Sequence, residues 1–184
     1  FFSGNTVSHK LYLNRSKWQF EDVTASAGVA GNGTWGTGVS VVDINGDGLL
    51  DVYVCHSGKF PPEKLVNELF INQGLQNSIP VFKESAKEYG LDLPGTQSTQ
   101  AAFFDYDLDG DLDFFLLNHS NHTYNPFLNT RTTRATPDMH FGNRLLRNDS
   151  GHFTDVTLKA GIINNPLNFG LGVAIADLNH DGWP

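Results

Sequence analysis

The sequence has one cysteine, one methionine, and only 12 Lys and Arg residues against 20 Asp and Glu residues. A single cysteine, Cys55, excludes an internal disulfide, and its place after Val54 in a predicted strand favours a buried apolar side chain over a reactive thiol. No stretch approaches the roughly 18 to 20 apolar residues of a membrane helix, so no transmembrane segment is expected. Without a basic stripe, nucleic acid is not an expected partner.

Short motifs of several enzyme classes are also missing. The sequence has no H-E-x-x-H zinc motif, no G-x-S-x-G nucleophile elbow and no phosphate-binding P-loop. A glycosidase needs two carboxylates about 5 to 10 Å apart across its substrate. Ten of the 15 Asp residues here belong to one repeated loop and are expected to hold cations instead. We therefore expect a protein that is not an enzyme.

A nine-residue acidic loop, D-x-[DN]-x-D-G-x-x-D, occurs twice in full and a third time without its last position. Oxygen ligands at positions 1, 3, 5 and 9, with the carbonyl of position 7, can surround one Ca²⁺, and glycine at position 6 permits the sharp reversal of the chain. The predicted calcium ligands are Asp43, Asn45, Asp47, Leu49 and Asp51 in loop 1, Asp105, Asp107, Asp109, Asp111 and Asp113 in loop 2, and Asp177, Asn179 and Asp181 in loop 3.

Other interpretations of this pattern fit less well. An EF-hand needs Glu at position 12 and a helix on each side, whereas Val54 and Leu116 occupy that position. Mg²⁺ prefers to keep its waters and is a poorer match for an all-protein set of ligands. An Asp-Gly hairpin turn without metal would explain one loop but not the recurrence of the whole pattern. Three divalent cations would bring the net charge from −8 to about −2.

Apolar runs on each side of the loops predict β-strands. Residues 39–42 and 52–54 flank loop 1, and residues 101–104 and 114–117 flank loop 2. Short β-branched and aromatic runs around a turn are typical of a hairpin, so each loop is expected at a hairpin tip. Residues 172–176 are the expected incoming strand of the third hairpin.

A longer repeat surrounds the loops. The loops begin at positions 43, 105 and 177, which gives periods of 62 and 72 residues. Each loop is preceded by an L-x-x-N element, at 11–14, 69–72 and 145–148. A second element follows each of these, begins at Phe20, Phe82 and Phe153, and ends in Gly followed by an aliphatic residue. Repeats of this length with about four short strands each suggest the blades of a β-propeller.

These elements resemble the FG-GAP/VCBS repeats of integrin α-like β-propellers, and in particular a bacterial surface branch related to cartilage acidic protein and ASPIC/UnbV proteins. The FG-GAP element is residues 35–38 in the first repeat and 169–172 in the third, whereas the middle repeat has Ser98-Thr-Gln-Ala101 there. The resemblance implies an all-β fold, namely a β-propeller fragment of four-stranded antiparallel blades. Its expected parts are the end of a blade at 1–24, blades at 35–85 and 99–157, an insertion at 118–143, and the start of a further blade at 170–184.

The function that this resemblance implies is a calcium-stabilised, non-catalytic scaffold in a secreted or cell-surface protein, with the bacterial outer membrane as the expected location. Its partner would be a protein or a glycan. Two alternatives stay open: part of a calcium-dependent polysaccharide-active enzyme, or an accessory binding subunit of an outer-membrane transport or adhesion complex. Fold alone does not decide among them, because propellers host many functions.

Three further features have two interpretations each. The polar insertion contains His119, His122, Asp138 and His140, which could converge on a transition metal. Its aromatic and Arg side chains, including Tyr124, Arg131 and Arg134, could instead meet a ligand, although a solvated loop or a clasp between blades is the simpler explanation. The segment 59–64 could line a recognition surface or, with its two prolines, only end a strand. Trp18, Trp35 and Trp183 could stack on sugars, but we expect them to pack in the core.

Overall fold

The computed structural model describes residues 1–122, 125 and 130–184. This part of the chain is β-rich, and none of its helices is long and apolar enough to cross a membrane. The strands are β1 (Tyr12–Asn14), β2 (Phe20–Asp22), β3 (Trp35–Val42), β4 (Asp51–Ser57), β5 (Glu68–Gln76), β6 (Ile79–Glu84), β7 (Ser98–Phe104), β8 (Asp113–Asn118), β9 (Arg144–Asp149) and β10 (His152–Asp155), and the helices are α1 (Thr24–Ala27), α2 (Ala86–Tyr89) and α3 (Thr130–Ala135).

The longer strands form two antiparallel sheets of four strands each. Sheet I has the order β3-β4-β5-β6 and sheet II the order β7-β8-β9-β10, so each sheet is a simple meander. The pairs Val42↔Asp51 and Phe104↔Asp113 close the hairpins around loops 1 and 2. The prediction of an all-β chain with these two loops at hairpin tips is therefore confirmed.

Strand β4 is buried on both faces, as its run of apolar residues requires. Tyr53 and Cys55 face sheet II, whereas Val52 and Val54 contact the N-terminal part of the chain. Tyr53 lies edge-on to Phe114 of β8, with 5.0 Å between ring centroids, and this geometry favours aromatic pairs. Cys55 is fully buried, which confirms the prediction for this residue, and burial raises the pKa of its thiol.

Residues 1–34 pack against the other side of sheet I. Phe2 and Lys10 form a bridge, and β1 pairs with β2. Val23, Ala27 and Val29 form a second apolar cluster with Val52, Val54 and Phe70 of sheet I. Sheet I thus has a packed neighbour on each face.

Equivalent hydrogen bonds join each repeat to the next, and in each case the donor is a threonine in the first strand of its sheet. Thr37 lies six residues before loop 1, and its hydroxyl donates to the carbonyl of Ser98 at 2.7 Å. Thr99 holds the same position before loop 2, and its hydroxyl donates to the carbonyl of Gly170 at 2.9 Å. The repeat in the sequence is therefore also a repeat in how one unit contacts the next.

The glycines of the FG-GAP element permit this contact. A Cβ atom added at Gly38 would lie 2.3 Å from the carbonyl oxygen of Thr99, and one at Gly36 would lie 2.9 Å from that of Gly4. Both obstacles are backbone atoms of the neighbouring unit, which cannot move aside as a flexible side chain can. Any side chain at Gly38 would therefore push β3 away from β7.

Two sequence predictions are wrong. Residues 172–176 do not form a strand. No strand of the described residues lies beside this segment to share its backbone hydrogen bonds. The tryptophans are not core residues either, since Trp18, Trp35 and Trp183 are 88%, 45% and 51% exposed.

The tight contact at Gly38 gives a first prediction. Gly38→Ala should lower the free energy of unfolding by about 1–3 kcal/mol, because the added methyl group overpacks the junction between the sheets. The matched control is Gly172→Ala in the third repeat, where an added Cβ meets nothing within 4 Å. Its effect should stay within about 0.5 kcal/mol. Urea unfolding of both variants measures the difference, and equal effects would contradict this role for Gly38.

Candidate calcium loops

The three acidic loops share one backbone conformation. Position 1 lies directly after the incoming segment, and the chain then reverses within eight residues. Position 4 is left-handed whether the residue there is Gly, Leu or His, so the loop and not the residue type determines this conformation. The φ angles are 71°, 60° and 59° at Gly46, Leu108 and His180 (position 4), and 84°, 97° and 90° at Gly48, Gly110 and Gly182 (position 6).

The carboxylate at position 1 organises each loop. In loop 1, Asp43 accepts hydrogen bonds from the backbone N–H groups of Asp47 and Gly48, at 3.0 and 2.8 Å. The carboxylate at position 5 then accepts the N–H of position 7, as Asp47 does from Leu49 at 2.8 Å. In loop 2, Asp105 accepts the N–H groups of Asp109 and Gly110, and Asp109 accepts that of Asp111, at 2.9 to 3.1 Å. In loop 3, Asp177 accepts the N–H groups of Asp181 and Gly182, and Asp181 accepts that of Trp183, at 2.9 to 3.3 Å.

Loop 2 brings three carboxylates together. Asp105, Asp107 and Asp109 each offer one oxygen, and these oxygens lie within 4.8 Å of one another. The Oδ1 atom of Asp107 is buried and has no hydrogen-bond partner among the described residues. A buried carboxylate oxygen without a donor is costly, and a hard cation would satisfy it. The donor set of loop 2 therefore fits a calcium ion.

In loops 1 and 3 an asparagine replaces the middle carboxylate. Asn45 donates to Asp47 at 3.0 Å, and Asn179 donates to Asp181 at 2.8 Å. The amide oxygen remains a possible calcium ligand in both loops, while the amide N–H₂ group neutralises part of the negative charge. Loop 2, with aspartate at this position, carries the most concentrated negative charge.

The aspartate at position 9 has a structural role that sequence reasoning missed. Asp51 is fully buried, and its two oxygens accept the N–H of Ile44 in loop 1 at 3.0 Å and that of Asn72 in β5 at 2.8 Å. Asp113 is also fully buried and binds Tyr106 and Asn148 in the same way, at 2.7 and 2.8 Å. Each oxygen keeps a second lone pair, so metal ligation at position 9 stays a prediction.

The asparagine of the L-x-x-N element completes this arrangement. The side chain of Asn72 donates to the carbonyl of Leu50 at 3.1 Å, and Asn148 donates to that of Leu112 at the same distance. The motif therefore connects the third strand of each sheet to the loop between its first two strands. The recurrence of this element in each repeat was its signal in the sequence, but each asparagine contacts the loop that precedes it and not the loop that follows it.

The electrostatics of position 9 also favour a cation. Burial raises the pKa of the Asp51 carboxyl, and the nearby negative charges of Asp47 and Asp43 raise it further. The hydrogen bonds from Asn72 and Ile44 lower this pKa but do not outweigh those effects. For Asp113, burial again raises the pKa, and nearby Asp107 and Asp109 add to it. These carboxylates repel one another, and a divalent cation between them would remove that repulsion.

A second cluster with metal-binding residue types, His9, His56 and Glu68, is buried where residues 1–34 meet sheet I. The Nε2 atoms of His9 and His56 lie 2.9 and 2.8 Å from Oε2 of Glu68. Gly4 donates its backbone N–H to Nδ1 of His9 at 2.8 Å, so the proton of a neutral His9 must be on Nε2. A protonated Nε2 cannot ligate a metal, and the cluster is therefore a hydrogen-bonded triad.

The hydrogen bonds also assign the charge of His56. The hydroxyl of Thr34 donates to Oδ1 of Asn32 at 2.6 Å, so Nδ1 of His56, 2.7 Å from that hydroxyl, must itself donate. With Nε2 donating to Glu68 as well, His56 is an imidazolium paired with a carboxylate. Burial alone would raise the pKa of Glu68, but the hydrogen bonds from His56 and His9 outweigh it and lower this pKa to about 2.

The transition-metal possibility in the insertion is not supported. His119, His122, Asp138 and His140 are all among the described residues, and they do not form a cluster of metal-ligating atoms. Each has its own neighbours: His119 packs edge-on to Phe169, His122 packs on Phe141, and Asp138 accepts the N–H of His140. The ligand contact proposed for Tyr124 lies outside the described residues.

The triad generates a second prediction. Glu68→Gln should lower the free energy of unfolding at pH 7 by about 3 kcal/mol, because it leaves the buried charge of His56 without its partner. The stability from Glu68 is complete above its unfolded pKa near 4.5 and is lost as pH falls toward its folded value of about 2. The difference between wild type and variant should therefore shrink below pH 4.5.

Urea unfolding at neutral and acid pH measures this effect. Exposed Glu63, which lies outside the triad, supplies the control Glu63→Gln, with an expected change within about 0.5 kcal/mol. A Glu68→Gln difference that stays constant from pH 7 to pH 3 would contradict a charged carboxylate in the triad.

Comparison with known proteins assigns part of the chain. No curated protein matches it. A family model described as an FG-GAP-like repeat matches residues 1–54, a range that includes β3, loop 1 and the first residues of β4. The first of the three acidic loops, together with the glycines that permit the contact between sheets, therefore lies within an FG-GAP-like repeat.

Proposed function

We propose that this chain is a calcium-stabilised segment of a β-propeller and that it serves as a non-catalytic binding scaffold. The observation that carries the proposal is the convergence of three carboxylates in loop 2 around the buried, unpartnered Oδ1 of Asp107. Loop 2 would hold Ca²⁺ through Asp105, Asp107, Asp109, Asp113 and the carbonyl of Asp111. Loop 1 would use Asp43, Asn45, Asp47, Asp51 and the carbonyl of Leu49, and loop 3 would begin a site with Asp177, Asn179 and Asp181.

Calcium would act on the structure rather than on a substrate. Each complete loop is the tip of a hairpin, and the strands of the first hairpin pack against sheet II, so neutralising the loop charge would strengthen both the hairpins and this contact. An ion that binds only the folded state stabilises it by mass action, and a concentration about 100 times Kd adds about 2.7 kcal/mol per site. The propeller interpretation is supported by the equivalent hydrogen bonds from Thr37 and Thr99 to the following unit.

The proposed calcium sites also suggest where in or outside the cell the protein works. Extracellular calcium modules work with dissociation constants of about 0.1 to 1 mM, so a fold that needs calcium suits a calcium-rich compartment. We place the protein outside the cell or on its surface, in line with the resemblance to a bacterial surface branch related to cartilage acidic protein and ASPIC/UnbV proteins. An outer-membrane complex is the corresponding assembly.

A third prediction tests the metal. Calcium titrated by calorimetry into chelator-treated protein should bind saturably and raise the midpoint of thermal unfolding. Asp107→Ala should remove about one site, because it deletes a ligand of loop 2. The same variant should leave the stability without calcium unchanged or slightly higher, because Asp107 makes none of the hydrogen bonds that form the loop and its charge repels its neighbours.

Asp149→Ala serves as the control. Asp149 is a surface carboxylate at the end of β9, is paired with Arg147, and lies outside the loops. This variant should bind as many calcium ions as the wild type. Absence of calcium binding by the wild-type protein, or an unchanged number of sites in Asp107→Ala, would contradict the proposed calcium site.

A further inference from the structure

A pocket lies at the ends of the strands opposite the calcium loops. It has a volume of about 770 Å³ and is bounded by the start of β3, the turn after β4, the start of β7 and the segment after β8. Strand β3 runs from Trp35 at the pocket to Val42 at loop 1, on the order of 20 Å. We call it the Trp35 pocket. Its volume is in the range of small-molecule sites.

Two aromatic rings form one wall of the Trp35 pocket. Gly58 lies between them: an added Cβ would be 3.0 Å from Cε2 of Phe60 and 3.4 Å from Cε3 of Trp35. The two rings therefore meet across a residue without a side chain. Trp35 is nevertheless 45% exposed, so much of its surface stays open to a ligand.

Gln97 holds the rim of this pocket in place. Its buried side-chain oxygen accepts hydrogen bonds from the hydroxyl of Ser57 and the N–H of Gly58, at 2.8 and 3.0 Å, and its N–H₂ group donates to the carbonyl of Gly58 at 3.0 Å. Its backbone carbonyl accepts the N–H of His119. One residue thus fixes the turn after β4 and the segment after β8 in a single arrangement, which is the preorganisation that a binding site requires.

The charge of the Trp35 pocket is opposite to that of the chain. The chain carries a net charge of −8, yet none of the thirteen described residues that line the pocket is acidic. Lys59 is exposed and forms no salt bridge with any described residue. Asn121 is exposed nearby and makes no side-chain hydrogen bond with the described residues. A cation and an amide beside an open aromatic face favour an anionic, hydrogen-bonding ligand with a flat apolar side.

We propose that the Trp35 pocket binds an acidic saccharide, a polymer of sugar rings that carry carboxylates. The C–H face of a sugar ring would lie on Trp35, its carboxylate would pair with Lys59, and its hydroxyl groups would reach Asn121. An acidic peptide would satisfy Lys59 but would leave the open face of Trp35 without a flat partner. This inference rests on the proposed scaffold function and adds the class of ligand.

Calorimetry with a short oligogalacturonate tests the proposal. The matched control ligand is the same oligomer with its carboxylates reduced to primary alcohols, which makes it a neutral galactose oligomer. The acidic oligomer should bind saturably, with an affinity that falls as salt is added, and the neutral one at least about tenfold more weakly. Lys59→Gln and Trp35→Ala should each weaken the acidic oligomer about tenfold or more. Lys64→Gln and Trp18→Ala, at exposed positions outside the pocket, should not change its affinity.

Uronates bind free calcium, so the titrations use protein loaded with calcium and then freed of excess ion. Asp107→Ala should bind the oligomer like the wild type, because its loop lies at the other end of the strands. Equal binding of the neutral oligomer, unchanged affinity in folded Lys59→Gln, or binding of poly-glutamate in place of the oligogalacturonate would overturn the saccharide proposal. Calcium binding without saccharide binding would overturn this inference alone, whereas lack of calcium binding would overturn the proposed scaffold.

Discussion

The structure depends on one buried carboxylate per repeat, at the ninth position of the acidic loop. Asp51 stands at the first residue of β4, and its two oxygens bind the backbone of loop 1 and of β5. Asp113 does the same for loop 2 and β9. One side chain thus sets the shape of the loop and the register of the next strand. It also brings a buried negative charge next to other carboxylates, and the fold must compensate for this charge.

Two ways of compensating a buried carboxylate occur in the same chain. Glu68 is neutralised by a protein cation, since the hydrogen bonds of Thr34 and Asn32 require His56 to be an imidazolium. The loop carboxylates have no salt bridge to Lys, Arg or His among the described residues, which supports the proposal that a bound cation neutralises them. In the proposed calcium-bound form the loops are neutralised by an ion, whereas the triad, which also has metal-binding residue types, contains its own cation.

Sequence patterns predicted local features and missed contacts between residues that are far apart in the sequence. The hairpins around loops 1 and 2 follow from apolar runs on each side of a glycine turn, and the burial of Cys55 follows from its place in such a run. The triad could not be predicted, because His9 and Glu68 are 59 residues apart and meet only when residues 1–34 pack on sheet I. The tryptophans were misjudged because aromatic residues near repeat elements usually pack in cores, whereas Trp35 begins a strand at the rim of the sheet.

The two ends of the strands are under different physical constraints. At the loop end, the carboxylates at positions 1, 5 and 9 accept backbone hydrogen bonds, so substitution of these residues would disrupt the hairpin itself. At the Trp35 end, Gln97 holds the rim together with Thr37 and Thr99, whereas side chains such as Lys59 and Asn121 have no structural partner among the described residues. In the proposed binding scaffold, residues without a structural role can vary with the ligand while the fold stays the same. This division explains why the repeat can be identified from sequence, whereas specificity must be sought in residues that the repeat pattern does not include.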